Sequence, residues 1–597
     1  TISRKSNSGY FLIVFDSTWS TSMNSCLIRG GMLIDGTGAA GYRADIRVEG
    51  GVITDIAATI EPHDEEQVQD ATDCIVAPGF IECHTHFDGT MWWEPELKPL
   101  AGFGATTVIM GNCGFSIAPL PESPEVRDEL IKIFSFFEDI PEAPFKTELP
   151  WNWRTWSEYK KVLTENVRVP TNYGAYVGHI ALRLTAMGLE AWDRAATPPE
   201  VAHMVELLRD ALEAGAMGMS SNLMDHDGSD RPVPSLQADD VEWLALAETL
   251  AQYPGTQLQI IVDTFRAMTA PASMERLGTL FEGIDVRVQW GGVPTLEFQR
   301  DMMGIQAPLI EMHEQFKQEG RDFWTGFSHV PITVTLSVQQ SLIFAQSNDY
   351  VWHEVVLAEN EEEKSRILRD PDWRERARTS WDNDVFDFSP LAKAQSRGML
   401  LLNSDNGVGP IRITLGEYAD ELGVHTSDAM AEWLLKNGLD STVTMPAFVK
   451  DEEMVVRLLR DPYTVGNITD SGAHGQMLCG GGENILLLTD YVREKGWITA
   501  EEAIHNLTGK LAGHFGLHDR GELKIGKRAD ITVFDMDEIT YQPMEKVYDV
   551  PDGKGDYTWR WTRSPAPMRL TLVNGEATFH AGQYTDAKPG MMVSPQR

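Results

Sequence analysis

The chain has 597 residues, of which 42% are hydrophobic and 23% charged, a composition typical of globular rather than disordered proteins. Acidic residues outnumber basic ones by 89 to 50, so the formal net charge is −39. Because binding to phosphate groups needs clustered Lys and Arg, this charge argues against nucleic acid and anionic membranes as partners.

The five cysteines are odd in number and widely spaced, and no CxxC pair occurs among them. That pattern argues against a disulfide framework and predicts a reducing, cytoplasmic compartment. No apolar run approaches a length of about 18 to 20 residues, which a membrane helix needs. Residues 1–23 are interpreted as a leader or tag-like extension, with Met23 as a plausible natural start.

Both ends of the chain carry the pattern of short strands and tight turns. Residues 26–60 contain alternating apolar runs broken by GG, DG, GTG and EGG, and residues 521–537 and 569–584 repeat this pattern. Because the termini of a domain often lie close together, we predict one β-sandwich domain built from residues 24–77 and 520–597. Two separate β units are the alternative.

The middle of the chain contains well-marked helices. Thr197 is a good N-cap, Pro198 suits the first helical position, and Glu200 completes a capping box. Apolar residues then recur at helical spacing until Gly215, a typical C-terminal stop. A second helix of the same design is predicted after Thr499.

Apolar strand candidates alternate with helices. They lie at residues 106–111, 172–178, 216–220, 257–263, 285–290, 399–404 and 463–470. Repeated βα units across residues 78–519 predict an α/β fold, a (β/α)8 TIM-like barrel with insertions. A doubly wound open sheet is the alternative, because periodicity alone does not distinguish the two.

Two stretches interrupt the βα pattern. Residues 121–160 are rich in Pro, Glu, Phe and Trp, and residues 340–397 are highly charged. Each is compatible with peripheral helices, with a lid or with an oligomer contact. Peripheral helices are favoured for residues 340–397, and the alternatives stay open for residues 121–160.

The stretch APGFIECHTHFDG, residues 77–89, places His84 and His86 one residue apart. Strand side chains have a period of two, so both imidazoles lie on one side and can contact one metal ion. The preceding run is strand-like, which puts the pair at a C-terminal strand end, the catalytic face of a barrel. A bare pair is a weak signal, since such pairs also occur on surfaces by chance.

Further motifs strengthen the signal. They are GATTVIMGNCG at residues 104–114, GHIALR at 178–183, NITDSGAHG at 467–475 and GLHDRGELKIGKRADITVFD at 516–535. With the histidine pair, they resemble the amidohydrolase superfamily and, within it, the D-aminoacylase group of N-acyl-D-amino-acid deacylases. The resemblance is strong at both ends of the chain and weak between them.

The resemblance implies a metal-dependent hydrolase whose (β/α)8 barrel carries the metal beside a β-sandwich made from both chain ends. It implies that His84 and His86 are ligands from the first strand. Cys113 matches the cysteine that replaces a bridging carboxylate in this group. Asp470 matches the last-strand aspartate, which binds metal and handles the proton of the attacking water. The expected cofactor is Zn²⁺ or another divalent transition metal, one per chain.

Two departures from the family pattern concern the metal. No lysine occurs between Lys161 and Lys317, so the carbamylated lysine that bridges two metals in many members is absent from the expected region. No histidine occurs between His226 and His313, so the two histidines of the fifth and sixth strands are missing. Either another residue substitutes for them, or the remaining ligands hold the metal.

Three histidines are candidate substitutes: His179, His226 and His329. His179 is favoured because GHIALR matches a GHS-x-LR segment of the family. The alternative for His179 is a packed, hydrogen-bonded histidine. Asp263 and Gln289, on the candidate fifth and sixth strands, are polar but do not reproduce the family's ligands.

Position suggests roles for three more residues. His474, four residues past Asp470, is expected at the same mouth, where it donates to a developing oxyanion or fixes a water. Arg183 is a candidate partner for a substrate carboxylate, and Gln289 is a candidate substrate-binding residue.

Three functions are compatible with these residues. The first is a metal-dependent hydrolase of a non-peptide C–N (amide) bond in a small molecule, with Asp470 as general base and acid. The second is a metal-dependent enzyme of another class, such as C–C or C–O cleavage, and the third is a non-catalytic scaffold. Retention of His84, His86, Cys113 and Asp470 argues against the third function, whereas the missing histidines argue for the second or the third. The first function is favoured. A homo-oligomer is compatible with the sequence.

Overall fold

The computed structural model describes residues 25–64, 66–229, 231–264, 267–331, 333–339, 351–383 and 396–596. The predicted extension at residues 1–23 lies outside these ranges, as do parts of the segment 340–397. Within the described ranges, no helix combines the length and the apolar character that crossing a bilayer requires.

Parallel strands occupy the middle of the chain in two connected sheets. One sheet contains Phe80–Glu82, Ala105–Met110 and Asn172–Ala175. The other contains, in spatial order, Thr464–Val465, Phe323–Gly326, Arg287–Gly291, Gln257–Val262, Gly218–Leu223 and Val177–Gly178. All neighbouring pairs are parallel.

The two parallel sheets meet at both of their edges. At one edge, Tyr176 lies between Asn172–Ala175 of the first sheet and Val177–Gly178 of the second. Its N–H donates to the Met110 carbonyl at 3.0 Å. At the other edge, Thr85 and Ser471 form a parallel bridge. Residues just after the first strand therefore lie beside residues just after the last one.

Most of the predicted parallel strands are confirmed within a few residues of their expected ends. Ala105–Met110 and Gly218–Leu223 are buried along their whole length, as strands covered on both faces should be. Phe323–Gly326 was missed, because four residues with two aromatics give no clear periodicity.

The strand predicted at residues 399–404 exists, but its expected place among the βα units is wrong. Leu400–Asn403 pairs antiparallel with Thr442–Thr444, which also pairs antiparallel with Thr335–Leu336. An apolar run shows that a strand is buried but not which sheet it joins. This small sheet belongs to a second hydrophobic core that includes Trp352, Trp373 and Trp433.

The α-helices surround these sheets. In chain order they are Phe87–Thr90, Pro124–Phe137, Glu142–Thr147, Trp156–Asn166, His179–Met187, Pro198–Ala214, Asp240–Leu250, Ala270–Leu280, Glu297–Asp301, Gln306–Gln318, His353–Leu357, Glu361–Arg369, Pro371–Asn383, Leu415–Leu422, Thr426–Asn437, Glu452–Arg460, Asn484–Leu486, Ala500–Leu507 and Gly509–His514. A π-helix, Leu487–Glu494, follows Asn484–Leu486, and short 3₁₀ turns occupy Leu100–Phe103, Gly188–Trp192, Pro234–Gln237 and Ser396–Gly398.

Both helices predicted from capping signals are confirmed. Pro198–Ala214 begins after Thr197, which forms a capping box with Glu200. It ends at Gly215, whose φ of 100° is a left-handed conformation that glycine adopts without steric cost. Thr499 caps Ala500–Leu507 in the same way.

Strands from the two chain ends share one sheet of nine strands. From the N-terminal part come Ser25–Leu33, Tyr42–Glu49, Val52–Ala57, Gln67–Asp70 and Ile75–Pro78, and from the C-terminal part come Ile531–Phe534, Leu570–Val573, Glu576–His580 and Gln583–Tyr584. The two groups join where Ile531–Phe534 pairs antiparallel with Ile75–Pro78. Met544–Pro551 and Tyr557–Arg563 form a separate hairpin.

Replacing Ile531 by Ala is expected to weaken the junction between the two chain ends. The Ile531 side chain is fully buried, and such a truncation typically costs about 2–5 kcal/mol because it leaves a cavity. The midpoint of urea unfolding should therefore fall relative to the wild type. Ile525→Ala is the control, since Ile525 is 57% exposed. Equal midpoints for the two variants would contradict this role of Ile531.

Candidate metal centre

The histidine pair follows the first parallel strand and is almost fully buried. His84 is 3% exposed and His86 is 0% exposed. Between them, Thr85 donates its backbone N–H and its hydroxyl to the Ile109 carbonyl, at 3.0 and 2.9 Å. Because Thr85 is bound to the second strand, the two imidazoles on either side of it are fixed in a common direction, as predicted.

Cys113 lies on the loop after the second strand, and three hydrogen bonds hold that loop. The Cys113 N–H donates to Gln259 Oε1 at 2.9 Å, and Asn222 donates to the Cys113 carbonyl at 3.0 Å. The next residue, Gly114, donates its N–H to Ser220 at 3.0 Å. Cys113 Sγ then lies 3.0 Å from His84 Nε2 and 3.8 Å from His86 Nε2.

Asp470 reaches the same place from the last parallel strand. Its Oδ1 lies 3.1 Å from His86 Nε2 and 3.6 Å from His84 Nε2. The side chain remains 35% exposed, so one face of the carboxylate is open. The structure thus brings His84, His86, Cys113 and Asp470 together, although Cys113 and Asp470 are 357 positions apart in the sequence.

The donor set fits a divalent cation. Ligand atoms about 2.0–2.3 Å from a tetrahedral Zn²⁺ lie about 3.3–3.8 Å from one another, close to the distances between these imidazole, thiol and carboxylate atoms. Among the described residues, His84 Nδ1, His86 Nδ1 and Asp470 Oδ1 are also buried without a hydrogen bond of good geometry, although His86 Nδ1 and Asp470 Oδ1 have ion-pair contacts. Such atoms are costly to bury, and a cation would satisfy the carboxylate.

Two acidic residues that the sequence did not indicate complete the cluster. Glu138 Oε1 lies 3.3 Å from His86 Nδ1, and Asp139 Oδ2 lies 3.0 Å from His474 Nδ1. His474, predicted to reach this mouth, does so: its Nε2 is 3.4 Å from Asp470 Oδ2. Glu138 belongs to a second group of closely spaced ligand atoms with His86 and Asp470.

Burial and mutual contacts shift the pKa values in the cluster. Burial lowers the pKa of His84 to about 4, which keeps its imidazole neutral, as metal binding requires. Burial alone would raise the pKa of Asp470, but contacts with His474 and His86 outweigh it and hold that pKa well below its usual range. Burial and the nearby carboxylates of Glu138 and Asp470 raise the pKa of the Cys113 thiol, an effect that a bound cation would oppose.

Four residues of the cluster have a left-handed backbone, which non-glycine residues rarely adopt. The φ angles are 56° for Cys113, 47° for Asp139, 60° for Asp470 and 52° for His474. Each such residue costs on the order of 1–3 kcal/mol and persists only where the surroundings enforce it. Concentration of this strain at one cluster supports a functional role for it.

The cluster lies on the wall of a cavity of about 570 Å³. This volume is within the range of small-molecule sites, roughly 300–1,000 Å³. Where the family would place histidines, the fifth and sixth strands present Ile261, Val262, Gly291 and Gly292. Phe298, Phe327, Met445, Phe448 and Met477 add to an apolar wall.

The structure corrects the roles expected for His179 and Arg183. His179 Nε2 is 2.7 Å from Glu242 Oε1 and its Nδ1 is 2.8 Å from Ser221 Oγ, so both ring nitrogens have protein partners. Arg183 is 0% exposed, pairs with Glu242 and donates to the carbonyls of Ala191 and Arg194. Neither residue lines the cavity, so the packed-histidine alternative holds for His179.

The remaining candidates divide between the cavity and the protein interior. His226 lines the cavity, with Nδ1 at 3.0 Å from the Asp227 carbonyl oxygen. Gln289 does not line the cavity. Its side-chain Oε1 instead accepts a hydrogen bond from His514 at 3.0 Å. Asp263 and His329 do not line the cavity either; His329 donates to the Glu483 carbonyl at 3.0 Å.

Lys450 is a cavity residue that sequence analysis did not identify. Its Nζ donates to the Ser328 carbonyl at 3.0 Å and to the Thr295 hydroxyl at 3.2 Å. Burial lowers the pKa of Lys450 to about 7, and no carboxylate of the described residues pairs with it. The other cation of the wall, Arg563, is paired with Glu483.

The chain is similar in sequence to known proteins. A model of the amidohydrolase family matches residues 67–337 and 426–579. The N-acyl-D-glutamate deacylase of Alcaligenes xylosoxydans xylosoxydans is 27% identical over 572 residues, which cover 93% of each chain. The D-aminoacylase of that organism is 26% identical over 515 residues, which cover 85% of this chain and 87% of the relative.

A solved structure shows the same overall fold. It is the N-acyl-D-glutamate deacylase from Bordetella bronchiseptica, complexed with zinc and a phosphonate inhibitor that mimics the tetrahedral intermediate of its reaction. The TM-score is 0.63 at 23% sequence identity, and the match covers 95% of this chain and 99% of that one.

Replacing His86 by Ala is expected to abolish stable binding of a divalent cation, because His86 Nε2 faces both Cys113 and Asp470. Elemental analysis after dialysis against zinc should give about one ion per wild-type chain. His203→Ala is the control, since His203 is a half-exposed surface residue beside Glu206. Full metal content in His86→Ala would show that the ion is bound elsewhere.

Proposed function

From the premise that the chain belongs to the amidohydrolase family, we propose that it is a metal-dependent hydrolase of a non-peptide C–N bond, similar to the N-acyl-D-amino-acid deacylases. The observation that carries the proposal is the group of four ligand atoms, from His84, His86, Cys113 and Asp470, on the wall of the cavity. Relatives named as deacylases of N-acyl-D-glutamate and N-acyl-D-aspartate support an amide substrate.

We also propose the architecture that holds this site. The parallel strands form a (β/α)8 barrel across residues 78–519, in which Asn172–Ala175 and Val177–Gly178 count as one strand interrupted at Tyr176 and the Thr85–Ser471 bridge links the first strand to the last. Residues 24–77 and 520–597 contribute a β domain beside it, which the shared nine-stranded sheet supports. The metal then lies at the C-terminal ends of the strands, where barrel enzymes have their active sites.

The chain's own residues account for the proton transfers of amide hydrolysis. A bound divalent cation such as Zn²⁺ supplies acidity to water and polarises a carbonyl oxygen. Asp470 takes the proton of the attacking water and passes it to the leaving nitrogen. Burial alone would lower the pKa of His474, but contacts with Asp139 and Asp470 outweigh it and raise that pKa well above its usual range, so His474 is an imidazolium. Its Nε2–H, beside Asp470 Oδ2, donates to the oxyanion that develops on the substrate.

The cavity indicates the chemistry of the substrate. Its apolar wall favours an amide with an apolar group, which is desolvated on binding. Lys450 replaces Arg183 as the candidate partner of a substrate carboxylate, because it lines the cavity and has no carboxylate partner among the described residues. The Ser328 carbonyl fixes the ammonium, and the Ser328 hydroxyl in turn donates to Ile468, two residues before Asp470.

The zinc-loaded protein is expected to hydrolyse members of a panel of N-acyl-D- and N-acyl-L-amino acids. Asp470→Asn should lower kcat/KM by about 10²–10⁴-fold, the usual contribution of a general acid–base group. Release of free amine measures turnover, and Asp301→Asn, at an exposed position, is the control.

Three outcomes of these measurements would contradict the proposed function. Turnover of a C–C or C–O electrophile without turnover of any amide would favour a different reaction class on the same centre. A metal-free protein that is insensitive to chelators would favour a non-catalytic scaffold. Full activity of Asp470→Asn would remove Asp470 from the mechanism.

Replacing Lys450 by Met is expected to raise KM for carboxylate-bearing amides by about 10- to 100-fold, the worth of a hydrogen bond to a charged group. The methyl ester or amide of the same compound should show little change, because it carries no charge for Lys450 to bind. Lys588→Met is the control, since Lys588 pairs with Glu96 at the surface. Equal effects on the acid and on its ester would exclude Lys450 as the carboxylate site.

A further inference from the structure

Two histidines contact Asp470 from opposite sides, and a carboxylate backs each of them. His86 Nε2 lies 3.1 Å from Asp470 Oδ1, and His474 Nε2 lies 3.4 Å from Asp470 Oδ2. The second nitrogen of each ring faces a different acid: His86 Nδ1 lies 3.3 Å from Glu138 Oε1, and His474 Nδ1 lies 3.0 Å from Asp139 Oδ2. The two arrangements are therefore of one kind, carboxylate–imidazole–Asp470.

Both backing carboxylates come from adjacent positions of the segment 121–160. Helix Pro124–Phe137 ends directly before them, and Glu138 closes it by donating its N–H to Phe134 at 3.0 Å. Glu138 is 2% exposed and Asp139 is 0% exposed. The Glu138 carbonyl also accepts a hydrogen bond from the His474 N–H, so backbone and side chains tie this segment to the loop after the last strand.

Aromatic packing fixes the end of the helix against the centre. The Phe134 ring lies edge-on to the His86 ring at 6.4 Å between centroids, and Phe115 lies 6.4 Å from the same ring. Phe137 contacts the His226 ring at 6.3 Å. The position of Glu138 and Asp139 is therefore set by a buried core, which makes the segment part of the site rather than a peripheral addition.

We propose that Glu138 and Asp139 are positioning residues that orient His86 and His474 with Nε2 of each ring towards Asp470. The bond made by one imidazole nitrogen decides which tautomer and which ring orientation the other nitrogen presents. The Glu138 carboxylate, at ion-pair distance from His86 Nδ1, thus favours the tautomer whose Nε2 lone pair faces the cation. Asp139, which is hydrogen-bonded to His474 Nδ1, holds the His474 Nε2 towards the substrate side. This inference rests on the proposed function, because it assigns the two acids to that same metal centre.

The support of Glu138 for His86 matters more because the fifth and sixth strands carry no histidine ligand. The fifth and sixth strands face the cavity with Ile261, Val262, Gly291 and Gly292, which supply no side-chain ligand. Fewer ligands then hold the cation, so misorientation of one of them removes a larger share of the binding free energy. Loss of a carboxylate behind a ligating histidine typically weakens metal affinity by about 10- to 100-fold.

The test compares variants that remove the charge or the acceptor. Glu138→Gln keeps an oxygen that can accept from His86 Nδ1, whereas Glu138→Leu removes it. Zn²⁺ affinity, measured by competition with a chromophoric chelator, should fall about 10-fold for the first and about 100-fold for the second. Glu142→Gln is the control, because Glu142 is on the same segment but forms a surface ion pair with Lys146.

Asp139→Asn tests the second half of the inference. Because Asp139 acts through His474 and not through a metal ligand, this variant should keep its Zn²⁺ affinity within about 3-fold and lower kcat by about 10-fold or more. KM should stay close to the wild-type value. A fall in Zn²⁺ affinity equal to that of Glu138→Gln would overturn this division of roles.

The outcomes separate this inference from the proposed function. A wild-type protein that binds no metal would refute the proposed function. A wild-type protein that binds Zn²⁺, with Glu138→Gln and Glu138→Leu binding it equally well, would overturn the inference alone. Lower melting temperatures with unchanged affinity in the folded protein would mean that Glu138 has only a structural role. If Glu138→Leu fails to fold, the comparison of Glu138→Gln with Glu142→Gln still decides.

Discussion

The contact between the ends of the first and last parallel strands is the constraint on which the site depends. The His86 N–H donates to the Ser471 carbonyl at 2.8 Å, and Thr85 bridges to Ser471. This pairing places Asp470 beside the two histidines, across a separation of almost 400 residues. Closing so long a loop costs entropy, but that cost grows only slowly with length and the burial of the surrounding strands offsets it. The candidate ligands His84, His86 and Asp470 are thereby held next to each other by the pairing of the first and last strands.

Electrostatics explains why such a cluster is stable enough to exist. Glu138, Asp139 and Asp470 converge with the imidazoles of His86 and His474 in a largely buried place. Isolated buried carboxylates would be very costly, but each of these has an imidazole within ion-pair distance. The remaining excess of negative charge is a cost that a bound cation would reduce. The centre is thus built for a ligand of positive charge.

Sequence patterns predicted the positions of helices and strands better than the tertiary contacts of individual side chains. Periodicity and capping residues located most parallel strands and the helices after Thr197 and Thr499, because those signals are local. Motif resemblance indicated the residues that now lie together at the centre. Glu138 was missed because a carboxylate at a helix end has no local pattern, and its role depends on a fold-level contact. His179 and Arg183 were misassigned because they share Glu242, a partner about 60 residues away that spacing does not reveal.

The absence of ligands on the fifth and sixth strands has a structural counterpart on the same side of the cavity. Small and aliphatic residues there leave room and an apolar surface, whereas histidines would fill that space and bring water-binding nitrogens into it. The candidate ligands lie instead just after the first, second and last strands, with Glu138 and Asp139 behind them. A one-sided centre leaves the opposite, apolar side of the cavity free, which is where the proposed function places an apolar part of the substrate. Lys450, held by Thr295 and Ser328 near the loop of Asp470, then places its amine beside an otherwise apolar chamber. Burial lowers the pKa of this amine to about 7, and a bound carboxylate would raise it again. Under the proposed function, binding energy from that chamber and from one ion pair would orient an amide against Asp470, which would make a site with few metal ligands selective.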